Sequence, residues 1–85
     1  MQEQFIKRDL ARLGDAVVKN RKKAAKEKDA GMQKQYTKDA ADLLKIGAKV
    51  AEGNYRKAAR LIYNLDTIVR DQIPPRLYNE IMKFF

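Results

Sequence analysis

Residues 43–65 read Leu-Leu-Lys-Ile-Gly-Ala-Lys-Val-Ala-Glu-Gly-Asn-Tyr-Arg-Lys-Ala-Ala-Arg-Leu-Ile-Tyr-Asn-Leu. Leu43, Gly47 and Val50 come before Gly53-Asn54, and Ala58, Ile62 and Leu65 come after it. In both halves the spacing is three or four residues, which marks one face of a helix. Gly53 suits the position just past a helix end, where the backbone turns left-handed, and Asn54 suits the N-cap of the next helix. Helices joined by so short a turn lie antiparallel. The stretch predicts a helical hairpin, and the rest of the chain extends it.

Upstream, the second helix is expected over Met32 to Glu52, with Met32, Tyr36, Ala40, Leu43, Gly47 and Val50 facing inward. Gly47 lowers helix propensity by ~1 kcal/mol relative to alanine, so its place on that face predicts close approach of a neighbouring helix backbone. Gly31 predicts the stop of a first helix running from about Gln2 to Asp29. The seam of that helix is Ile6, Leu10, Leu13 and Val17, continued through Asn20 and Ala24. After Val18 its only apolar side chains are alanines, so its second half is expected to project past the core or to fray.

Downstream, a third helix is expected from Tyr55 to about Gln72, with Ala58, Ile62, Leu65 and Val69 inward. Ile73-Pro74-Pro75 breaks it, because a residue before proline is pushed out of the α region. Pro75 suits the first position of a short last helix to Phe84. Ile73 is placed to pack on Tyr78 as a hydrophobic staple, and Leu77, Ile81 and Phe84 to close the bottom of the bundle. Nothing alternates at period two, so no strand competes. The expected fold is all-α, an antiparallel three-helix bundle with a short fourth C-terminal helix, forming a single helical domain over residues 1–85.

Composition removes several function classes. The 85 residues include neither cysteine nor histidine. Disulfides, thiolate or imidazole metal sites, Ser-His-Asp triads and histidine acid–base chemistry therefore lack their main residues. There is no glycine-rich phosphate loop, and no acidic cluster dense enough for calcium. Asp39 and Asp42, and Asp66 and Asp71, are each flanked by lysine or arginine and read as exposed ion-pair members rather than catalytic carboxylates. The expectation is a protein that is not an enzyme, with no cofactor, metal or small-molecule substrate. No apolar run approaches the ~20 residues of a membrane helix, and residues 1–5 carry no signal-peptide pattern. A cytoplasmic protein without a membrane partner is expected.

The charge is what remains to be explained. Nineteen Lys and Arg stand against eleven Asp and Glu, a formal net charge of +8. Arg8, Arg12, Lys19, Lys22, Lys23 and Lys26 fall within about 100° on a helical wheel, opposite the Ile6–Val17 seam and interrupted only by Asp15, over ~27 Å at 1.5 Å per residue. Six of the ten residues from Lys19 to Lys28 are basic and one is acidic. A helix built for solubility alone usually mixes the signs, although a solvated outer face can also look like this. On the third helix, Arg56, Arg60, Tyr63 and Arg70 share an outer face, where a ring among arginines could stack on bases or anchor a protein contact. Met82, Phe84 and Phe85 form either a plug for the bundle or a sticky patch.

Two short segments resemble known families. Gly53-Asn54-Tyr55-Arg56-Lys57-Ala58 resembles the start of the second helix of a tetratricopeptide repeat. One copy implies an ordinary helical hairpin, since a solenoid needs about three repeats. Asp71-Gln72-Ile73-Pro74-Pro75, followed by Tyr78 and Ile81, resembles the C-terminal segment of the Hha/YmoA family, with tyrosine where that family usually has tryptophan. Those small helical bacterial proteins modulate the nucleoid protein H-NS, so the resemblance implies a protein partner.

The functional expectation is a small basic binding protein. It contacts nucleic acid, or an acidic protein surface, through the helix-one stripe and without reading sequence. The alternative is a protein-binding regulator, an adaptor or inhibitor docking on a larger host complex in the manner of small phage and plasmid proteins.

Overall fold

The computed structural model describes residues 3–85. The fold is all-α, with helices α1 (Glu3–Lys26), α2 (Ala30–Ala51), α3 (Tyr55–Tyr63), α4 (Thr67–Arg70) and α5 (Pro75–Met82). The expected start of the first helix near Gln2 lies outside the described residues. α1 packs along α2 and touches α5, while α3 packs on α2 and α5. α1 and α3 therefore occupy opposite corners of the bundle.

The Gly53-Asn54 turn forms as its chemistry dictates. Gly53 has φ +81°. Asn54 N–H donates to Lys49 O at 2.9 Å and Gly53 N–H to Val50 O at 3.0 Å, the paired bonds of a Schellman end. The Asn54 side chain then accepts from Lys57 N–H at 3.3 Å and opens α3. Pro75 takes the first position of α5 as expected.

The break between α1 and α2 falls at residues 27–29, not at Gly31. Asp29 is extended, and its side chain accepts from Met32 N–H at 3.1 Å, so Gly31 sits inside the first turn of α2. An aspartate N-cap that satisfies a free amide outweighs the stop signal of a glycine whose φ is not positive.

The expected third helix is split. α3 ends at Tyr63, Asp66 is extended (φ −64°, ψ 150°), and α4 is a single turn. Asn64 and Asp66 have short polar side chains that compete with helical backbone hydrogen bonds. Arg70 makes the break tolerable. Its guanidinium donates to Tyr63 O at 3.1 Å and Leu65 O at 3.0 Å, the carbonyls left over at the end of α3. Leu65, expected inward, is only half-buried at this break.

The core joins Leu13 and Val17 of α1, Leu43, Ile46 and Val50 of α2, Ala58, Ala59 and Ile62 of α3, and Val69, Ile73, Leu77 and Ile81. Two seams are rotated from expectation. On α1 the buried line is Phe5, Asp9, Leu13, Val17, Asn20 and Ala24, with Ile6 and Leu10 half-buried at its edge. On α2 Ile46 is buried, Gly47 is half-buried and Met32 is exposed. The nearest atom to a Cβ placed on Gly47 would be Leu13 Cδ2 at 3.4 Å, a side chain and not the expected helix backbone. Phe84 does not close the bundle. The helix stops at Met82, and Phe84 lies outside against Tyr55, ring centroids 5.1 Å apart.

At 1.5 Å per residue, α1 and α2 are each ~33–36 Å long and α3 and α5 only ~12–14 Å. The hairpin therefore outruns the bundle, and the long axis measures 41 Å against 23 and 19 Å. Among residues 19–38 only Asn20 and Ala24 are buried. The second half of α1 does project past the core, but it stays helical to Lys26 and is pinned to α2. Gln33 Nε2 donates to Ala24 O at 3.1 Å, and Lys23 Nζ lies 5.7 Å from the Tyr36 ring centroid. Asn20 Nδ2 donates to Ala16 O at 2.8 Å and to Gln72 Oε1 at 2.6 Å, tying the base of this arm to the segment after α4.

Candidate nucleic-acid interface

The projecting arm carries most of the net charge. Residues 19–38 hold eight Lys and Arg against two acids, and the rest of the chain eleven against nine. Arg8, Arg12, Lys19, Lys22, Lys23 and Lys26 are all exposed. Ion pairs among the described residues join Lys7 to Glu3, Arg8 to Asp9, Lys49 to Glu52 and Lys83 to Glu80, and none of them includes Arg12 or the four lysines of the stripe. The stripe is not opposite the packed face, however. With the seam passing through Phe5, Asp9 and Asn20, its centre lies roughly 115° from the stripe on a helical wheel. The stripe flanks the buried line, which is why Arg8 Nε reaches Asp9 Oδ1 at 3.6 Å and Lys23 reaches over Tyr36.

The α3 residues separate into two roles. Arg56 and Arg60 are exposed. Tyr63 is 58% exposed and stacks on Phe85, with centroids 4.5 Å apart and ring planes 19° apart. Arg70 does not join them, because the break at Asn64–Asp66 turns its guanidinium back onto the α3 carbonyls. Since α1 and α3 stand at opposite corners, the α1 stripe and the α3 arginines do not form one surface.

The carboxylates also differ from expectation. Asp39 is buried and accepts from Gln35 Nε2 at 2.8 Å, and none of Asp39, Asp42, Asp66 or Asp71 is in an ion pair. Asp9 is 1% exposed and its Oδ2 has no hydrogen-bond partner. Among the described residues no three His, Cys, Asp or Glu side chains cluster to hold a metal ion, and no helix is long and apolar enough to cross a membrane.

The outer face of α2 adds a group of cations that the stripe on α1 overshadows in the sequence. Lys34, Lys38 and Lys45 share that face at intervals of four and seven residues, a pattern the same helical wheel detects. All three are exposed.

Comparison of the chain with family models, with curated proteins and with solved structures finds no match in any of the three.

Proposed function

We propose that this chain is a small, non-enzymatic binding protein whose basic arm contacts nucleic acid through the phosphate backbone, without sequence readout. The observation that carries the proposal is the separation of charge from core. Eight of the nineteen basic residues, with two acids, lie on an arm whose only buried residues are Asn20 and Ala24. Lys19, Lys22, Lys23 and Lys26 have no carboxylate partner to neutralise them. A helical line of unpaired cations matches a line of phosphates, and each contact releases condensed counterion. Backbone contact positions a protein and carries no base information.

The test is the salt dependence of binding to duplex DNA. The slope of log K on log salt is expected at roughly −0.9 per phosphate contact. Changing Lys19, Lys22, Lys23 and Lys26 to Gln flattens it by about one unit for each phosphate no longer neutralised. The melting temperature falls only a little, because all four are exposed and only Lys23, over the Tyr36 ring, loses a contact. Absence of binding to DNA and to RNA at ~50 mM salt, where such contacts are strong, overturns the proposal.

A second reading, a regulator docking on a larger host complex, is favoured by one feature. Ile68 is 78% exposed, and Tyr63 with Phe85 stacked on it is also exposed, so the α3–α4 end offers apolar surface a partner could cover. On that reading a partner captured from the host survives nuclease and high salt, and no longer binds when Ile68 is changed to Ser.

A further inference from the structure

Away from the α1 stripe, the outer faces of α2 and α3 carry a second basic surface with a different character. Three hollows run end to end along it. The first lies between the last turns of α1 and Lys34 and Lys38 of α2. The second lies between Lys38 and Lys45 of α2 and Leu61 and Asn64 of α3, and the third beside Arg56, Lys57 and Arg60. The first and second share Lys38, and the second and third share Leu61 and Asn64, so the three form one continuous track. Six Lys and Arg line it against one acid, Asp42. Its α2 side alone, from Lys34 to Lys45, is ~17 Å long.

Rings stand beside the track, near Asn64, where its second and third hollows meet. Tyr63 lies three and seven residues from Arg60 and Arg56, on the same side of α3. Phe85 backs one face of the Tyr63 ring, and the two residues remain 58% and 62% exposed. A fixed, exposed ring beside cations stacks an unpaired base while the cations hold the backbone. A duplex keeps its base faces inside its own stack, so it can use the cations but not the rings. An acidic peptide likewise uses the cations and brings no base to stack. The α1 stripe has no equivalent, since the ring beside it, Tyr36, is half-buried beneath Lys23.

We propose that this track binds single-stranded nucleic acid, with the backbone along Lys38, Lys45, Arg56 and Arg60 and a base stacked on the Tyr63–Phe85 pair. The proposal rests on the nucleic-acid reading above and adds to it the strand form and a second surface.

The experiment measures binding of the full chain to fluorescent oligothymidylate and oligouridylate, and to a duplex of equal length, at ~50 mM salt. Tyr63→Ala and Phe85→Ala are compared with the unaltered chain. Both side chains are exposed, and thermal melts verify that each variant is folded. Each change is expected to weaken single-strand binding roughly 5- to 150-fold and to leave duplex binding unaltered. Changing Lys38, Lys45 and Arg60 to Gln is expected to reduce the single-strand salt slope by about 0.7 for each phosphate no longer neutralised. Ring variants that bind single strands as well as the unaltered chain does, or that lose single-strand and duplex binding alike, overturn the track while nucleic-acid binding by the α1 stripe stands. Polyglutamate that binds through the same three cations and resists displacement by oligothymidylate also overturns it, in favour of an acidic protein partner. Failure to bind either strand form overturns the nucleic-acid reading itself.

Discussion

The two ends of the α1–α2 hairpin are built from different materials. Where α3 and α5 pack on it, Leu13, Leu43, Ile46, Ile62, Leu77 and Ile81 are buried to 1% exposure or less. At the tip, contact is made by Ala24, by a glutamine donating to a carbonyl and by a lysine over a ring. One end holds the apolar packing and the other holds most of the net charge. A thin domain can thus keep most of its surplus cations away from its core. Like charges crowded on an arm with little to bury weaken that arm, and the packed end must offset this.

The largest effect that tests this division is expected in the packed end. Ile62→Ala removes a side chain with no exposed surface and is expected to cost ~2–5 kcal/mol in urea unfolding. Leu65→Ala, at the half-buried break, is expected to cost less than half as much. Equal losses would mean that the break between α3 and α4 closes in solution and that Leu65 joins the core.

Next in size is the joint between the two ends. Asn20 donates to Ala16 O and to Gln72 Oε1 while buried. Asn20→Ala strands the Gln72 acceptor and is expected to cost ~1–3 kcal/mol. It is also expected to speed amide exchange in residues 21–38 more than in residues 43–50, since Asn20 ties the arm to the body. Uniform acceleration would show that arm and body open together.

These positions also show what the sequence could and could not reveal. The Gly53-Asn54 turn was legible to the residue, because glycine and asparagine there satisfy local backbone requirements that no distant contact overrides. Ile62, Val50, Leu77 and Ile81 were legible because an apolar side chain at helical spacing has one favourable destination. Asp9 was not, since reading burial from polarity puts Ile6 and Leu10 inside and Asp9 out. Packing chose the other rotation of the helix, which buries Phe5 with Arg76 lying 4.3 Å over its ring. The α3–α4 break depends on Arg70 reaching back five and seven residues, and helical periodicity carries no sign of that. Of the expected site residues, the α1 stripe was legible as an exposed set, although its angle to the core was not. The Tyr63–Phe85 stack was hidden because it joins residues far apart in the sequence, which helical periodicity does not relate.

Smaller still is the effect of the buried carboxylate. Asp9→Ala removes a buried carboxylate without leaving a polar group in its place, whereas its neighbour Arg8 is well exposed and keeps its hydration. The variant is therefore expected to gain about 1 kcal/mol, read as a higher urea midpoint at unchanged m. A loss of that size would show that the Arg8 contact offsets the burial of Asp9.

The smallest effect concerns two glycines in the shallow apolar groove where α1 meets α2. Both lie in helix interiors, where glycine costs up to ~1 kcal/mol relative to alanine. A Cβ at Gly14 would meet nothing within 4 Å, so Gly14→Ala is expected to gain most of that amount. At Gly47 the Cβ would touch Leu13 Cδ2 at 3.4 Å and Leu10 Cδ2 at 4.0 Å, ordinary contacts with flexible side chains. Gly47→Ala is therefore also expected to stabilise, by a little less. Spacing alone placed Gly47 against a helix backbone, which would make the same change destabilising, so the sign decides between the two pictures. A stabilising result at both positions means that the hairpin is held by side chains across a gap wide enough for a methyl group. A loss at Gly47 beside a gain at Gly14 means that the helices approach more closely at the packed end, and that the difference between the two ends is sharper than the side chains alone convey.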